Sequence, residues 1–469
     1  MTGGKRIALV VDEFWPHLNC ETAHAATSIA ASLTRQRGIV GPHQRGVDES
    51  HSHDVDVIAY RHRGSPPRYR YRNIRVSTPT RRCRSEWGLS RHIRSTAQSI
   101  ATECPDHDVF VAVGGRDAAA AMIEAAKKLN RPSIVHLSIG SGHDDIDYWA
   151  SRNSRYRFER TFASADRIVV FTESQRRRLC EMGFPVDRIV VRSMPPLPPA
   201  GEPLTARTVL TRTAARRVLA GVNGDLRCDS DAVVLLADPP MTRNGPIDHW
   251  ITTLPSFFYR RPESRLWILG DGPTRDRIHD DLNRAGIRDR VAIPGTFSNL
   301  ADVVAAADLM VHADPVPGPG LLMHALVNGL PIASMDTHDN RRVLEFAKTP
   351  VHWIDPASSN DGQFGTDTWM KLIDRFDRRS RDRRDDIDPR INFDDDFDVR
   401  LITSVLRDHS SPVQDQASID RASIDQESTG QQSIDQESID RESTGRESMV
   451  SHSTCPKSIR SESIGADGS

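Results

Sequence analysis

Two glycines and a histidine frame the part of this 469-residue chain where chemistry is easiest to place. Gly318 and Gly320 lie in the Pro/Gly segment Pro315 to Gly320, and His324 follows within the apolar run that starts at Leu321. Glycine has no Cβ, so backbone built from it can approach a phosphate closely and turn N–H groups toward it. The same residues also serve any tight turn. His324, on a face of an otherwise apolar helix, reads either as a core histidine or as a polar contact to a ligand. A second turn, Gly270-Asp271-Gly272-Pro273, breaks the apolar run Leu266 to Leu269, and Gly295 closes the run Val291 to Ile293.

The elements around these turns alternate. Leu266 to Leu269 reads as a strand, and a charged helical segment separates it from the strand at Val291. Leu300 to Ala307 reads as a helix, Leu309 to Ala313 as a strand, Leu321 to Asn328 as a helix ended by Gly329, and Pro331 to Ser334 as another strand. Strands alternating with helices predict a parallel sheet covered on both faces. Ligands of such sheets sit beyond the carboxyl ends of the strands, where both Gly-rich turns fall.

The amino-terminal half repeats the pattern. Strands are expected at Lys5 to Val11, Asp56 to Tyr60, Ile74 to Ser77, Asp108 to Val113, Ser133 to Leu137, Ile168 to Phe171 and Ile189 to Arg192, with helices at Thr22 to Leu33, Ala118 to Leu129 and Gln175 to Met182. Thr172 or Ser174 caps the last of these. The loop Asp12 to Glu21, with His17 and Asn19, faces any ligand of the first sheet. The turn Ser138 to Asp145 is of a kind that cradles anions. The basic run Arg61 to Arg72, interleaved with Tyr69 and Tyr71, reads as a solvated loop face in preference to a nucleic-acid surface.

Prolines at 195, 196, 198 and 199, then Pro203, mark a linker. It divides an amino-terminal Rossmann-like domain, residues 1–200, from a carboxyl-terminal one, residues 201–408. From residue 409 the chain changes in kind: serine recurs every fifth residue from Ser418 to Ser463. Five matches neither the helical nor the strand period, so residues 409–469 are expected to form a disordered tail.

Composition narrows the function classes. Lys and Arg number 62 against 64 Asp and Glu, a net charge of −2, so no overall field draws the chain to nucleic acid or an anionic membrane. The six cysteines, Cys20, Cys83, Cys104, Cys180, Cys228 and Cys455, have no metal-like or paired spacing and read as free thiols of a reducing compartment. His43, His51 and His53 lack partners at fixed spacing for a metal. No run reaches the roughly 20 apolar residues of a spanning helix. A cytoplasmic protein is expected, with at most peripheral membrane contact.

Taken together, three blocks resemble the GT-B glycosyltransferases of the large retaining, family 4-like group that includes glycogen and sucrose synthases and bacterial mannosyltransferases. Ala165 to Val191 is similar to that family's last amino-terminal block, Leu266 to Asp314 to the middle of its nucleotide-sugar domain, and Gly320-Leu321-Leu322-Met323-His324 to Ser334 to its donor-site helix and following strand. The resemblance spans roughly Lys5 to Glu345. It implies an α/β fold of two facing Rossmann-like domains. A nucleotide-diphosphate sugar is then held by the second domain and a glycan, lipid or protein acceptor by the first, with no metal. It further implies catalytic roles for His136 and His324 and donor contacts by Asp238, Arg243, Gly270, Gly295, Gly318, Gly320 and Leu321.

The chain departs from the family pattern at those groups. Of two expected glutamates, the second position holds His324 and the first Val316 or Pro317. An expected Arg is Asp238, and an expected Lys is Asn244, with Arg243 beside it as a substitute charge; an expected Gly-Gly is Asn19-Cys20. The two readings are a working glycosyltransferase and a degenerate GT-B protein that binds a nucleotide sugar, glycan or partner without turnover.

Overall fold

A computed structural model describes residues 4–15, 21–34, 53–62, 64–83, 88–138, 144–192, 209–239, 241, 243, 245–297, 299–318, 320–345, 347, 349, 351–355, 368–374 and 397–410. His17, Asn19, Cys20, His43, His51, the centre of the Ser138 to Asp145 turn, the proline linker, Asn244 and the serine-repeat tail all lie outside them. The described residues belong to one compact unit.

The first sheet has eight strands: β1 (Arg6–Val11), β2 (Asp54–Ala59), β3 (Arg68–Tyr71), β4 (Ile74–Ser77), β5 (Val109–Val113), β6 (Ser133–His136), β7 (Arg167–Val170) and β8 (Ile189–Val191), in the order β3-β4-β2-β1-β5-β6-β7-β8. All pairings are parallel except β3 with β4. The antiparallel edge departs from the all-parallel expectation and takes up part of the Arg61 to Arg72 run. In β3, Arg68 and Arg70 are exposed and Tyr69 and Tyr71 are partly buried, a half-covered edge instead of a loop. The second sheet is parallel throughout: β9 (Val233–Ala237), β10 (Ser264–Leu269), β11 (Val291–Gly295), β12 (Leu309–His312), β13 (Ile332–Met335) and β14 (Val351–Ile354), ordered β11-β10-β9-β12-β13-β14.

Helices cover both faces of each sheet, which is why the central strands are continuous apolar runs. Around the first sheet stand α1 (Glu21–Thr34), α2 (Leu89–Glu103), α3 (Asp117–Lys128), α4 (Asp145–Ala150), α5 (Arg155–Phe162) and α6 (Glu173–Glu181). Around the second stand α7 (Val209–Val222), α8 (Pro246–Arg260), α9 (Arg275–Arg284), α10 (Leu300–Ala306), α11 (Leu321–Val327), α12 (His338–Leu344) and α13 (residues 368–374). Ala-rich α3 lies flat on the first sheet, with Ala118 to Ile123 at most 3% exposed. Thr172 caps α6 by accepting from Gln175 N–H at 3.1 Å, and Gln175 reciprocates from Phe171 N–H at 3.1 Å. Together the two bonds tie the start of α6 to the exit of β7.

The last helix, α14 (Phe397–Ser410), belongs by sequence position to the second domain but packs on the first sheet. Ile402 and Val405, each 2% exposed, join the layer formed by Ile7, Leu9, Ile29 and Leu33. The buried Asp398 carboxylate receives Arg192 through both oxygens, at 2.8 and 3.0 Å. Apolar burial and a paired charge bring α14 back, features that linear order does not reveal.

Candidate functional site

The two sheets present their carboxyl edges to each other. α1 follows the loop after β1, α11 follows the loop after β12, and their histidines His24 and His324 meet edge to face with ring centres 6.1 Å apart. A second link runs from the Arg342 guanidinium on α12 to the carbonyl of Phe171 at the end of β7. Burial holds His24 down to about 4, and burial together with His24 holds His324 down to about 3. Both rings are therefore neutral at pH 7, and each can donate from one nitrogen and accept at the other.

On the second sheet, Asp238 follows the end of β9 and His312 ends β12, neighbouring strands at the centre of the order. Burial and the charge of Asp314 push the Asp238 carboxyl up to about 6, while His312 and the backbone N–H of Leu321 act against that rise. Asp238 is thus close enough to the first residue of α11 to feel its N–H, the amide end that a bound anion would otherwise meet. His312 is 4% exposed, with Nε2 3.2 Å from the carbonyl of Val316.

The loop after β12 is pinned at several points. Val316 N–H donates to Asp314 at 3.1 Å, Thr337 donates to the Pro315 carbonyl at 2.7 Å, and buried Asn340 donates to the Asp314 carbonyl at 2.9 Å. Gly318, Gly320 and Leu321 are buried at the start of α11. The loop is held in place before any ligand arrives.

The other predicted donor residues separate into two kinds. Gly270 and Gly295 lie at the adjacent ends of β10 and β11, joined by Gly270 N–H to the Gly295 carbonyl at 3.0 Å, with φ of 114° and 92°. Their conformation favours glycine at both positions. A Cβ at Gly270 would meet nothing within 4 Å, so that turn is open, whereas one at Gly272 would stand 2.5 Å from the carbonyl oxygen of Met241. Arg243 is exposed beyond β9. His136, at the end of β6, is 2% exposed, with Nε2 3.7 Å from Asp398. It belongs to the buried network that seats α14.

A constellation with no sequence spacing to announce it stands on the first sheet. The strand order reverses between β1 and β5, and the residues after these strands are Asp12, then Gly114-Gly115-Arg116-Asp117. Asp145, wholly buried, accepts from Gly115 N–H at 2.5 Å and Ser138 N–H at 2.7 Å, with Arg116 Nε 3.5 Å away. Gly115 is required by close approach, since a Cβ there would lie 2.8 Å from Leu137 Cδ2 and 2.9 Å from Asp145 Cβ. Asp117, 4% exposed, accepts from the Tyr148 hydroxyl at 3.4 Å, and Arg116 and Arg152 lie over the Tyr148 ring. Arg82 stands 3.7 Å from Asp12. Burial, reinforced by Asp117, raises the Asp12 carboxyl far above the usual carboxylate range, against the pull of Arg82 and Arg116. The one available signal was shared position: Asp12 and Asp117 each follow the end of an apolar run.

A cavity of about 460 Å³ lies elsewhere, lined by Arg6, Arg68, Arg75, Asp56, Glu103 and Cys104 among others. Its arginines are answered by acids, Arg75 by Asp56 at 2.5 Å and Arg68 by Glu103 at 2.9 Å. Among the described residues Cys104, Cys180 and Cys228 are free thiols. Among the described residues no group of three or more His, Cys, Asp or Glu is placed to hold a metal ion, and no helix is long and apolar enough to cross a membrane.

Comparison with known proteins agrees with this architecture. No curated protein matches the chain in sequence. Among solved structures, the chain is similar to WaaG, a glycosyltransferase involved in lipopolysaccharide biosynthesis, at 14% identity and TM-score 0.53, covering 90% of this chain and all of WaaG. It is similar to the Candida albicans trehalose-6-phosphate phosphatase N-terminal domain at 12% identity and TM-score 0.52, covering 87% and 97%. It is also similar to Anabaena Alr3699/HepE, solved with UDP and glucose, at 11% identity and TM-score 0.51, covering 91% and 100%. At these identities the likeness establishes the fold. Residues 45–195 match the glycosyl transferase 4-like domain, and the two-sheet architecture is that of the GT-B fold.

Proposed function

We propose that the protein transfers a sugar from a nucleotide-diphosphate sugar to a hydroxyl-bearing glycan, lipid or protein acceptor. The observation that carries this reading is the His24–His324 contact, by which the carboxyl edges of two Rossmann-like sheets meet inside a fold whose amino-terminal half carries the glycosyl transferase 4-like domain. In α/β sheets that edge is where ligands bind. The solved relative from Anabaena holds UDP and glucose, which supports a uridine nucleotide as the first donor to try.

In this reading the second sheet holds the donor, with the open Gly270 turn, Gly295, the loop amides from Gly318 through Leu321, and Arg243 near the diphosphate. His324 stands beside the reacting groups as a neutral hydrogen-bonding side chain. His136, closed off by Asp398, fixes the end of β6 and does not meet substrate. No metal ion is assigned a part.

One observation favours the second reading, binding without turnover. Asp238 already places a carboxylate near Leu321 N–H, and a carboxylate there repels a diphosphate. Thermal-shift screening against UDP-, GDP- and ADP-sugars, followed by assay of nucleotide release, separates the two. Stabilisation by a nucleotide sugar with release supports transfer, stabilisation without release supports the binding protein, and no stabilisation by any of them overturns both.

A further inference from the structure

His24 stands on α1, and that helix is firmly seated in the first half. Ala26, Ile29, Ala30 and Leu33, none more than 1% exposed, pack it against Ile7 and Leu9 of β1. Its first turn lies against the end of β5, since a Cβ on Gly114 would stand 3.0 Å from Thr22 Cγ2. His324 comes from the second half, three residues into α11 and so about 4.5 Å along the helix axis from Leu321. Its neighbours Leu322, Met323, Ala325 and Leu326 are at most 1% exposed, and Asn328 Nδ2 donates to its carbonyl at 2.8 Å. Both histidines are thus held by their own halves before they meet.

Their rings touch edge to face at 6.1 Å, and among the described residues neither ring has a hydrogen-bond partner. His324 is only 8% exposed, and an imidazole buried that far destabilises the fold unless something else supplies its hydrogen bonds. Among the described residues no charged side chain acts on either ring: burial lowers His24, and burial with His24 lowers His324. Each neutral imidazole offers one donor and one acceptor. A hydroxyl can accept from one ring and donate to the other, which supplies both with the partner they lack. A phosphate or carboxylate only accepts, and it brings a charge that nothing here answers. In the glycosyl-transfer reading the loop Gly318 to Leu321 lies by the diphosphate, and the part of the donor that reaches one turn further is the sugar.

We propose that His24 and His324 together bind hydroxyls of the transferred sugar and restrict the donor to an uncharged sugar, His24 being the contact that the first half contributes. This rests on the glycosyl-transfer reading. The two halves then share one ligand, and the specificity for its sugar depends on a residue outside the sheet that holds its nucleotide.

The test uses the full chain, with the affinities of UDP-glucose, UDP-glucuronate and UDP measured by calorimetry on wild type, His24→Phe and His24→Gln. GDP- and ADP-linked sugars are compared in the same way. Phenylalanine keeps the ring and its packing without polar atoms, and glutamine keeps polar atoms without the ring. Wild type is expected to bind UDP-glucose at least about 30-fold more tightly than UDP-glucuronate, whose carboxylate would enter a buried place without a countercharge. His24→Phe is expected to weaken UDP-glucose about 5- to 10-fold, the size of one neutral hydrogen bond, while UDP stays within about two-fold, and His24→Gln recovers at least half of that loss. Unchanged UDP-glucose affinity in His24→Phe, an equal fall for UDP and UDP-glucose, or UDP-glucuronate bound as tightly as UDP-glucose overturns the proposal and leaves the glycosyl-transfer reading standing. A wild-type chain that binds none of the nucleotide sugars overturns that reading, and this proposal with it.

Discussion

The Asp238 carboxyl feels the backbone N–H of Leu321, which works against the rise in its proton affinity, so the amide that opens α11 already faces a carboxylate supplied by the chain itself. Deprotonated, Asp238 opposes any phosphate approaching that amide. Protonated, it does not. UDP affinity is therefore expected to rise as pH is lowered from 7.5 toward 5.5, through the value of about 6 to which Asp238 is pushed. Asp238→Asn should bind UDP roughly 10-fold more tightly at pH 7.5 and lose most of the pH dependence, a gain of about 1.4 kcal/mol. Calorimetry at two pH values decides the matter, and affinity that is unchanged in Asp238→Asn counts against an anion site at α11.

The raised carboxyl of Asp12 has a consequence for stability with a definite sign. Its proton is held more tightly in the folded chain, so its contribution is complete below the ordinary value of 3.8 and is lost as pH rises toward about 7. Asp12→Asn is expected to raise stability at pH 8 by about 1–3 kcal/mol relative to its effect well below pH 3.8, where both states are protonated. Urea denaturation at the two pH values reads this directly.

The histidine pair acts in the opposite direction. His24 and His324 are held neutral in the folded chain, so their contribution is full above about 6.5 and is lost as pH falls toward about 4 and 3. Stability should fall by up to about 1.4 kcal/mol per pH unit for each ring between pH 6 and 4. His324→Asn should flatten that slope while lowering stability at pH 7.5 through lost packing. An unaltered slope in the variant would place the acid sensitivity elsewhere.

Removing one partner of the Arg192–Asp398 pair leaves the other charged group buried without compensation. Asp398→Ala is expected to cost about 3–5 kcal/mol, far more than the sum of its visible contacts in water. Arg192→Met with Asp398→Leu should recover much of that loss. Thermal unfolding of the single and double variants gives the coupling between them.

How much of this was legible in the sequence depended on the range of the physics. β5 and β12 announced themselves because a strand covered on both faces is a continuous apolar run, a local property. α2 went unread although Leu89, Ile93, Thr96, Ala97 and Ile100 stand at helical spacing, because its polar face obscured the pattern. β3 was not, because its exposed Arg68 and Arg70 with partly buried Tyr69 and Tyr71 look the same in a loop and at a sheet edge. For the site, the Gly270 and Pro315 to Gly320 turns could be placed because glycine and proline act locally. Asp12, Asp117 and Asp145 meet only after the order of strands is settled, and no spacing between them carries the information.

The return of α14 also shapes how the chain is made. Arg192 is separated by 206 residues from the carboxylate that neutralises it, and Ile402 and Val405 complete an apolar layer begun at Ile7. During synthesis the first sheet emerges early with that layer open and a cation inside it uncompensated, and it stays so until the whole second sheet has followed. Pairings of such separation slow folding and lengthen the time for which apolar surface is exposed. Folding of the amino-terminal half is thereby timed by completion of the carboxyl-terminal one.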